Sequence, residues 1–300
     1  MKVAVVGAGF AGLAACVFLR DVGCDVDLYD AVGIGGGASG AASGLLHPYP
    51  GKYIRRSERA TEALEAAHNL IARIPKKVYQ PGLKRYPISN QQKLLFEKRS
   101  AEYDDLSWDG EKLTIHSGGT VFSKLYCEEL FALSQASLYV QKVDQLPQAD
   151  AVILAAGAGM AELCPNFSFR LSKGQALQIL CDASESMVGD GYLAVTEQAG
   201  VCHLGSSYEH GHLDARPQLE EAKKLIVPRA KKYLKHPFKI TGVSAGMRAA
   251  PKEGHLPIVA KVGDGVFALT GFGSRGLLYH ALLAKELVNQ VFSKSEKSMM

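Results

Sequence analysis

The chain has 300 residues, of which 47% are hydrophobic and 21% charged, and its formal net charge is +4. This composition supports a packed core of one or two domains and argues against disorder. The mild charge does not by itself indicate nucleic acid. No run of about 20 apolar residues predicts a membrane span, and a first strand starting at Lys2 or Val3 leaves no room for a signal peptide.

The six cysteines are scattered and form no CxxC pair. A disulfide framework or a zinc site is therefore not expected. Reduced thiols fit a cytoplasmic protein better.

The first thirty residues have the order strand, glycine-rich turn, helix and strand. Val3–Val6 is a continuous apolar run, and it leads into Gly7-Ala8-Gly9-Phe10-Ala11-Gly12. Gly7 permits a tight turn, Gly9 lets a pyrophosphate approach the helix N-terminus, and Gly12 lets helix and strand pack closely. Asp30 ends the second strand, where an acid accepts hydrogen bonds from ribose hydroxyls. The pattern predicts dinucleotide binding, but it does not separate FAD from NAD.

A second glycine-rich segment, Gly33–Gly44, follows at once and reads GIGGGASGAASG. Small residues allow a flat or anionic ligand to reach backbone N–H groups. The alternative is a flexible loop, but the apolar, proline-flanked segment directly after it argues against a linker. His47 and Tyr49 lie in that segment and are candidates to face the cofactor.

Three later segments extend the pattern, and with them the sequence resembles the D-amino-acid-oxidase family of FAD-dependent oxidoreductases. The segments are Asp150–Gly159, Gly246–Pro251 with Leu256-Pro257-Ile258, and Thr270–Leu277. They follow the family's chain order over nearly the whole chain. The resemblance implies FAD as cofactor and a mixed α/β fold. That fold has a Rossmann-type FAD-binding domain and a second, smaller antiparallel-sheet substrate domain.

The resemblance also implies which residues contact FAD. They are Gly7, Ala8, Gly9, Gly12, Asp30, Ala38, Ser39, Ala42, Ser43, Gly44, Val143, Ala156, Gly157, Gly271, Gly273, Ser274, Arg275, Gly276 and Leu277. The last five open the final helix, whose positive end would stabilise charge on the reduced flavin. The alternative for this last loop is a plain helix-entry turn.

Within the family, the chain is similar to the glycine oxidases and to the oxidase half of a bifunctional enzyme that matures a tRNA wobble base. Gly191-Tyr192-Leu193, Gly205–His210 and Gly271–Gly276 favour the second group, and Lys173-Gly174-Gln175 is shared by both. The chain departs from that enzyme because it has no methyltransferase half. It is also shorter than most relatives between Tyr53 and Gly118, which implies a clipped substrate lid.

The domains are expected to be discontinuous. We assign residues 1–75, 118–163 and 241–300 to the FAD-binding domain, and 76–117 and 164–240 to the substrate domain. Apolar spacing predicts a helix over Arg55–Ile74 in the first. In the second we expect strands and one helix. The strands are Gly82–Ile88, Lys112–Ile115, Gly174–Leu180, Tyr192–Thr196 and Val201–Leu204, and the helix is Leu219–Leu234, broken or kinked at Pro228.

Three residues are candidates for catalysis. Arg248 occupies the family's carboxylate-binding position, and a planar guanidinium suits a carboxylate. Its alternative is a structural ion pair at a domain junction. Tyr192 matches the substrate-facing tyrosine, and its alternative is a half-buried strand residue. His47 is a candidate acceptor of the amine proton, although most loop histidines have no such role. The turn Tyr208–His210 is a weaker acid–base candidate.

The resulting hypothesis is an FAD-dependent amine or amino-acid oxidase or dehydrogenase. It would oxidise the C–N bond of a small carboxylate-bearing amine by hydride transfer to flavin N5. One alternative function is demodification of carboxymethylaminomethyl-uridine in tRNA. A run of basic residues could then contact the RNA phosphates, although such a run is also typical of a solvated helix face. Its members are Lys223, Lys224, Arg229, Lys231, Lys232, Lys235 and Lys239. Another is a non-catalytic, flavin-bound scaffold. No metal site is expected, because the nine histidines form no convincing ligand set.

Overall fold

The computed structural model describes residues 1–211, 214–231, 233–234, 237–254 and 256–295, with side chains up to residue 292. Its strands are β1 (Lys2–Val6), β2 (Asp25–Asp30), β3 (Leu45–Leu46), β4 (Tyr79–Arg85), β5 (Leu106–Trp108), β6 (Leu113–Val121), β7 (Ser137–Val140), β8 (Ala151–Leu154), β9 (Phe169–Leu180), β10 (Ser186–Gly189), β11 (Gly191–Val195), β12 (Val201–Gly205), β13 (Glu209–His210), β14 (Lys239–Pro251), β15 (Ile258–Gly263) and β16 (Val266–Thr270). Its helices are α1 (Phe10–Asp21), α2 (Ala60–Ala72), α3 (Asn90–Glu102), α4 (Ser123–Ser134), α5 (Met160–Leu163), α6 (Leu219–Ala230) and α7 (Gly276–Ser295).

The first sheet holds the N-terminal strand–turn–helix–strand unit. Its strand order is β15-β16-β8-β1-β2-β7. All neighbours are parallel except β15 and β16, which form an antiparallel pair. Val3–Val6 is buried, because helices cover one face of the sheet and the 141–164 region covers the other. The predicted Rossmann-type unit is confirmed, with the carboxyl ends of β1, β2 and β8 at one edge.

The second sheet has ten strands: eight follow one another in the order β13-β9-β12-β11-β10-β4-β6-β3, and outside this path β14 pairs with β9 and β5 with β6. The mixed α/β fold class is confirmed. The sheet is not purely antiparallel as expected, since β10 and β4 run parallel. Helix α6 buries Ala222, Ile226 and Ala230 against this sheet. It ends at Ala230, two residues after Pro228, rather than at Leu234.

The strand pairings differ from the expected domain boundaries. Strand β14 pairs with β9 from Lys239 to Pro251, so the boundary placed at residue 241 falls inside a strand of the second sheet. Strand β6 likewise runs through the boundary at residues 117/118, and β3, assigned by sequence to the cofactor domain, pairs with it. The backbone pairing therefore continues across segments whose sequences resemble flavin-binding ones.

Two helices also differ from the sequence expectation. Helix α2 begins at Ala60 rather than Arg55, because residues 48–57 close on themselves as a loop through a 2.8 Å hydrogen bond from Ser57 N–H to Pro48 O. Helix α3 was not predicted. Its sequence is mostly polar and buries only Gln92 and Phe96, so it lacks the apolar periodicity that marks a helix.

All six cysteines are buried and free. In the part of the chain that the structure describes, no cluster of three His, Cys, Asp or Glu side chains could hold a metal ion. None of the helices described there combines the length and apolar content needed to cross a bilayer.

Candidate active site

The first glycine-rich turn forms a cradle lined by backbone. Gly7 has φ +113°, and a Cβ there would stand 2.3 Å from the carbonyl oxygen of Ala155, at the end of the neighbouring strand β8. A Cβ on Gly12 would stand 1.9 Å from Gly7 O, which is the close helix–strand packing that the sequence predicts. Gly9 caps α1 without a side chain. The positive end of α1 is therefore not covered by a side chain of its own N-cap residue.

Asp30 has more partners than the sequence suggested. Its carboxylate accepts hydrogen bonds from the N–H groups of Ala8 (2.8 Å), Val32 (2.8 Å) and Gly33 (2.9 Å). A carboxylate offers about four lone-pair sites, so room remains for a ribose hydroxyl. Asp30 thus ties the first glycine-rich turn to the start of the second.

The second glycine-rich segment lies across the end of α1 and against the second sheet. The Phe10 N–H group donates to Ser39 Oγ over 3.1 Å. A Cβ on Gly246 of β14 would stand 2.8 Å from the Cα of Ala38. Gly44 has φ +79°, and a Cβ there would meet Val121 O at 1.8 Å. These close approaches hold the segment in place, so it is a fitted loop and not a flexible linker.

The remaining predicted cofactor residues lie around the same edge. Val143 is buried in an apolar cluster against which Ala156 packs, and Gly157 has φ +55° at the end of β8. Ala42 is partly buried against the main core. The residues predicted for the adenosine half therefore surround the carboxyl ends of β1 and β8.

The last loop joins the two sheets at this edge. Gly271 and Gly273 have positive φ (+76° and +56°), and the Gly273 N–H group donates to Ala249 O of β14 over 2.9 Å. A Cβ on Gly276, the first residue of α7, would stand 3.5 Å from the Phe10 ring. The N-termini of α1 and α7 therefore lie side by side. Further along the loop, Ser274 is exposed, Leu277 is buried, and the Arg275 guanidinium lies 5.6 Å from the Tyr279 ring centroid.

These observations fit a cofactor that has both phosphates and a flat ring system. Two helix N-termini and two loops of small residues offer backbone N–H donors at one edge of the sheet. Helix ends of this kind bind phosphate groups, and residues without side chains let a planar ring lie close to the backbone.

Arg248 lies where the cofactor loops meet the substrate sheet. Its guanidinium rests on Gly174, where a Cβ would stand 2.2 Å from Nη2. On another side, the ring centroid of Tyr208, the residue directly before β13, lies 4.5 Å from the Arg248 Cζ atom. Nη2 donates to Ser206 Oγ over 3.2 Å. No carboxylate of the described residues pairs with Arg248, so the structural ion pair considered from the sequence is not found in that part of the chain.

Tyr192 is close to both Arg248 and the second glycine-rich loop. Its ring covers Gly205, whose Cβ would stand 2.5 Å from the tyrosine oxygen. Burial raises the pKa of the Tyr192 hydroxyl, although the charge of Arg248 and a hydrogen bond with Ser43 act in the opposite direction. The hydroxyl is therefore protonated at neutral pH and can donate a hydrogen bond.

His47 is neutral in this environment. Burial and, to a lesser extent, the positive charge of Arg85 lower the pKa of His47 to about 3. Its Nδ1 accepts a hydrogen bond from Tyr49 N–H over 3.2 Å, so Nε2 bears the proton. Tyr49 does not face the cofactor, since it is fully buried in an apolar cluster with Leu83 and Phe96.

Several site residues were not identified from the sequence. Gly174 lay in a noted segment, but only the folded chain shows that it makes room for Arg248. Buried Arg85 donates from Nη1 to Tyr49 O over 3.0 Å, and no sequence signal pointed to it. Glu209 is no acid–base group of an open site: its carboxylate is buried, accepts from Gln175 Nε2 at 3.1 Å and bonds Ser207 Oγ.

Comparison with known proteins identifies the family. The family model described as FAD dependent oxidoreductase (DAO) matches residues 2–108 and 112–290. The chain belongs to this family of FAD-dependent oxidoreductases. Its cofactor is FAD, as the resemblance implied, and the protein is an enzyme of the oxidoreductase class.

The chain is also similar to individual curated proteins. It is 29% identical over 317 residues to the tRNA 5-methylaminomethyl-2-thiouridine biosynthesis bifunctional protein MnmC of Maricaulis maris, covering 96% of this chain and 52% of that protein. The chain thus spans about half the length of this curated relative, and smaller shares of others.

Solved structures show the same fold. Glycine oxidase from Geobacillus kaustophilus superposes with a TM-score of 0.78 at 19% identity, covering 96% of this chain and 95% of that one. Iminodiacetate oxidase from Chelativorans sp. BNC1 superposes with a TM-score of 0.75 at 18% identity, covering 97% and 95%.

Proposed function

We propose that the protein oxidises the C–N bond of a small amine that bears a carboxylate, such as an amino acid or an N-carboxymethyl group. The observation that carries this proposal is Arg248, a partly buried guanidinium at the junction of the cofactor loops and the substrate sheet. Its partners are the Ser206 hydroxyl, the Ser207 carbonyl and the Tyr208 ring, and no carboxylate among the described residues pairs with it. A substrate carboxylate would complete its charge-assisted hydrogen bonds.

The roles of the protein groups follow from this geometry. FAD, when bound, supplies the two-electron acceptor for C–N oxidation. Arg248 binds the carboxylate, and the Tyr192 hydroxyl donates to the same group, so that the amine end is directed toward the cofactor loops. Such orientation is the main contribution the protein makes to this kind of reaction.

The proton of the amine is not taken by His47. A group whose pKa is about 3 is too weak a base to deprotonate an ammonium near neutral pH. We propose that the amine binds in its unprotonated form, after losing its proton to solvent. His47 contributes a neutral Nε2–H donor at the edge of the site.

A second candidate substrate is the carboxymethylaminomethyl group of a tRNA wobble uridine. The similarity to MnmC along 96% of the chain favours it. Both candidates use Arg248 in the same way, because both present a glycine-like N–CH2–COO⁻ unit. They differ in what lies outside the pocket.

The test is anaerobic reduction of the bound flavin, which is measured as the loss of the flavin's visible absorbance. The substrates are glycine, sarcosine, D-amino acids and hypomodified tRNA, with dimethylamine as a matched control that differs from sarcosine by the missing carboxylate. We expect reduction by one or more carboxylate amines and none by dimethylamine. If no carboxylate amine reduces the flavin, the proposed reaction is wrong.

A further inference from the structure

A loop directly after His47 presents an exposed cationic surface. Residues 48–57, here called the basic loop, carry Lys52, Arg55 and Arg56, and all three are exposed. None of them forms an ion pair with a carboxylate of the described residues. The Lys52 ammonium lies 5.0 Å from the ring centroid of Tyr53, which is 59% exposed. Cations beside an open aromatic ring are the combination that binds phosphates and stacks bases.

The backbone of the basic loop is held in place by hydrogen bonds from buried side chains. Buried Arg85 donates to the carbonyl groups of Tyr49 and Gly51, and Gln92 Nε2 donates to Lys52 O over 3.2 Å. Ile54 is fully buried although its φ is +48°, a conformation that a β-branched residue rarely adopts. The surface is therefore prearranged, which lowers the entropic cost of binding a partner.

The basic loop borders the active site on two sides. It begins after His47, and Arg85, which supports the loop, also acts on the pKa of His47. Just past its other end, Glu58 O accepts a 2.7 Å hydrogen bond from Tyr279, in the first turn of α7. Arg275 of the last cofactor loop lies over that same tyrosine. A substrate too large for the pocket would lie on this loop.

The acidic groups near the loop leave it net positive. Glu58 is exposed beside it. Asp105 lies near Arg56, but its oxygens already accept hydrogen bonds from the backbone and hydroxyl of Ser117. Arg59 is paired with Glu62 and Glu286 and adds no free charge.

The basic run predicted around α6 is a weaker candidate. Lys223 pairs with Glu220 at 2.7 Å, and Arg229 pairs with Asp190 at 3.0 Å. Lys232 and Lys235 lie outside the described residues. Of the run's described members, Lys224, Lys231 and Lys239 are exposed, and the first two serve as a comparison.

We infer that the basic loop is a docking surface for an RNA strand, with Lys52 and Arg55 on phosphates and Tyr53 stacked on a base next to the nucleotide in the pocket. This inference rests on the second candidate of the proposed function. It adds the surface by which an RNA-borne substrate would be held.

The test is RNA binding by fluorescence anisotropy, which needs no turnover. The probes are an unmodified tRNA transcript and its isolated anticodon stem-loop, titrated between about 50 and 200 mM salt. Lys52→Glu with Arg55→Glu should weaken both complexes at least tenfold, because two phosphate contacts are lost. The slope of log affinity against log salt should become shallower by about 1.5. Tyr53→Ala should weaken binding roughly fivefold, as expected for one lost base stack.

The matched control, here called the α6 variant, is Lys224→Glu on α6 with Lys231→Glu directly after it; it makes the same charge change and should alter affinity less than twofold. FAD content and thermal unfolding show whether each variant is folded. Arg56 is left unchanged, since it donates to the Tyr49 hydroxyl and packs on Tyr103. The inference is wrong if the α6 variant loses more affinity than the loop variant, or if the parent protein binds neither RNA at low salt.

Heparin provides a further arm. If it competes as well as RNA at equal charge and Tyr53→Ala has no effect, the loop attracts polyanions in general and the assignment to RNA fails. Because anisotropy is independent of flavin reduction, a protein that binds RNA but oxidises no carboxylate amine would refute the proposed reaction alone.

Discussion

The cofactor edge and the substrate side of this protein are built from different kinds of residues. The cofactor edge is defined by positions where a side chain does not fit, such as Gly7, Gly9 and Gly12. The substrate side is defined by a few large side chains, Arg248 and Tyr192 among them, that meet from strands far apart in the sequence. We therefore expect the cofactor to be bound mainly by backbone groups and the substrate to be selected by side chains.

The strongest test of this contrast is Gly9→Val. A Cβ at Gly9 would stand 2.8 Å from Ser39 Oγ, at the N-terminus of α1 where a phosphate would bind. We expect a colourless protein that releases no FAD on denaturation, because the branched side chain fills the approach to the helix end. Gly37→Ala in the second loop is the control, since open space surrounds that position, and it should remain yellow. A yellow Gly9→Val protein would mean that the backbone cradle is not the phosphate site.

Arg248→Ala tests the other half of the contrast. Loss of a closed, bidentate ion pair costs roughly 2–5 kcal/mol, so the efficiency of flavin reduction by a carboxylate amine should fall about thirtyfold or more. Arg248→Lys should retain only part of the parent efficiency of flavin reduction, because one ammonium group does not reproduce the planar, two-pronged guanidinium. FAD content should be unchanged in both.

The control for Arg248 is Arg170→Ala, on strand β9, where the arginine is exposed. Stopped-flow reduction under anaerobic conditions measures all three variants. If Arg248→Ala keeps its flavin and reduces it at the parent rate, Arg248 has a structural role and the case for a carboxylate substrate loses its main support.

Gly174→Ala sharpens the comparison, because it is a glycine that serves the substrate side. The new Cβ would stand 2.2 Å from Arg248 Nη2, so the flexible guanidinium must move while the fold is kept. We expect normal FAD content and about a tenfold loss in kcat/KM, mainly through KM, for a displacement that costs about 1.4 kcal/mol. Gly263→Ala, with ordinary contacts in the first sheet, should have no effect. An unchanged KM in Gly174→Ala would show that the guanidinium position is not critical.

The last prediction concerns stability on the cofactor side rather than activity. His280 is fully buried in α7, Nδ1–H donates to Leu277 O over 2.9 Å, and Nε2 bonds the Tyr126 hydroxyl at 2.8 Å. Burial lowers the pKa of His280 to about 4. The unfolded chain binds this proton near pH 6.5, so stability is full above that pH and is lost as the pH falls toward 4. The loss is on the order of 3 kcal/mol.

His280→Gln should reduce the difference between urea midpoints measured at neutral and acidic pH, since glutamine does not titrate. His116→Gln, at an exposed position, is the matched control and should leave that difference as it is. Equal pH dependence in the parent and His280→Gln proteins would show that His280 does not control acid sensitivity.

The same contrast explains what could be predicted from the sequence. The glycine pattern between Gly7 and Gly12 is local, so turn, helix start and strand end follow from neighbouring residues. The contact of Gly174 with Arg248 joins positions 74 residues apart, and no local pattern encodes it. Helix α3 was missed because it is mostly polar. The boundary expected at residue 241 falls inside β14, a strand that pairs within the second sheet and also contacts the glycine-rich loops, and no local pattern marks this double use.

That strand has a consequence for the size of the substrate. Gly246 of β14 lies close to the second cofactor loop at Ala38, and Arg248, the proposed anchor of the substrate carboxylate, lies two residues on along the same face of the strand. Side chains two apart on a strand are separated by roughly 6 to 7 Å. The strand geometry thus sets the distance between the cofactor loop and the Arg248 guanidinium. A slip of one residue in the pairing of β14 would turn the guanidinium to the opposite face of the sheet. Under the proposed function, the register of this strand, rather than the walls of the pocket, therefore sets the length of the substrate.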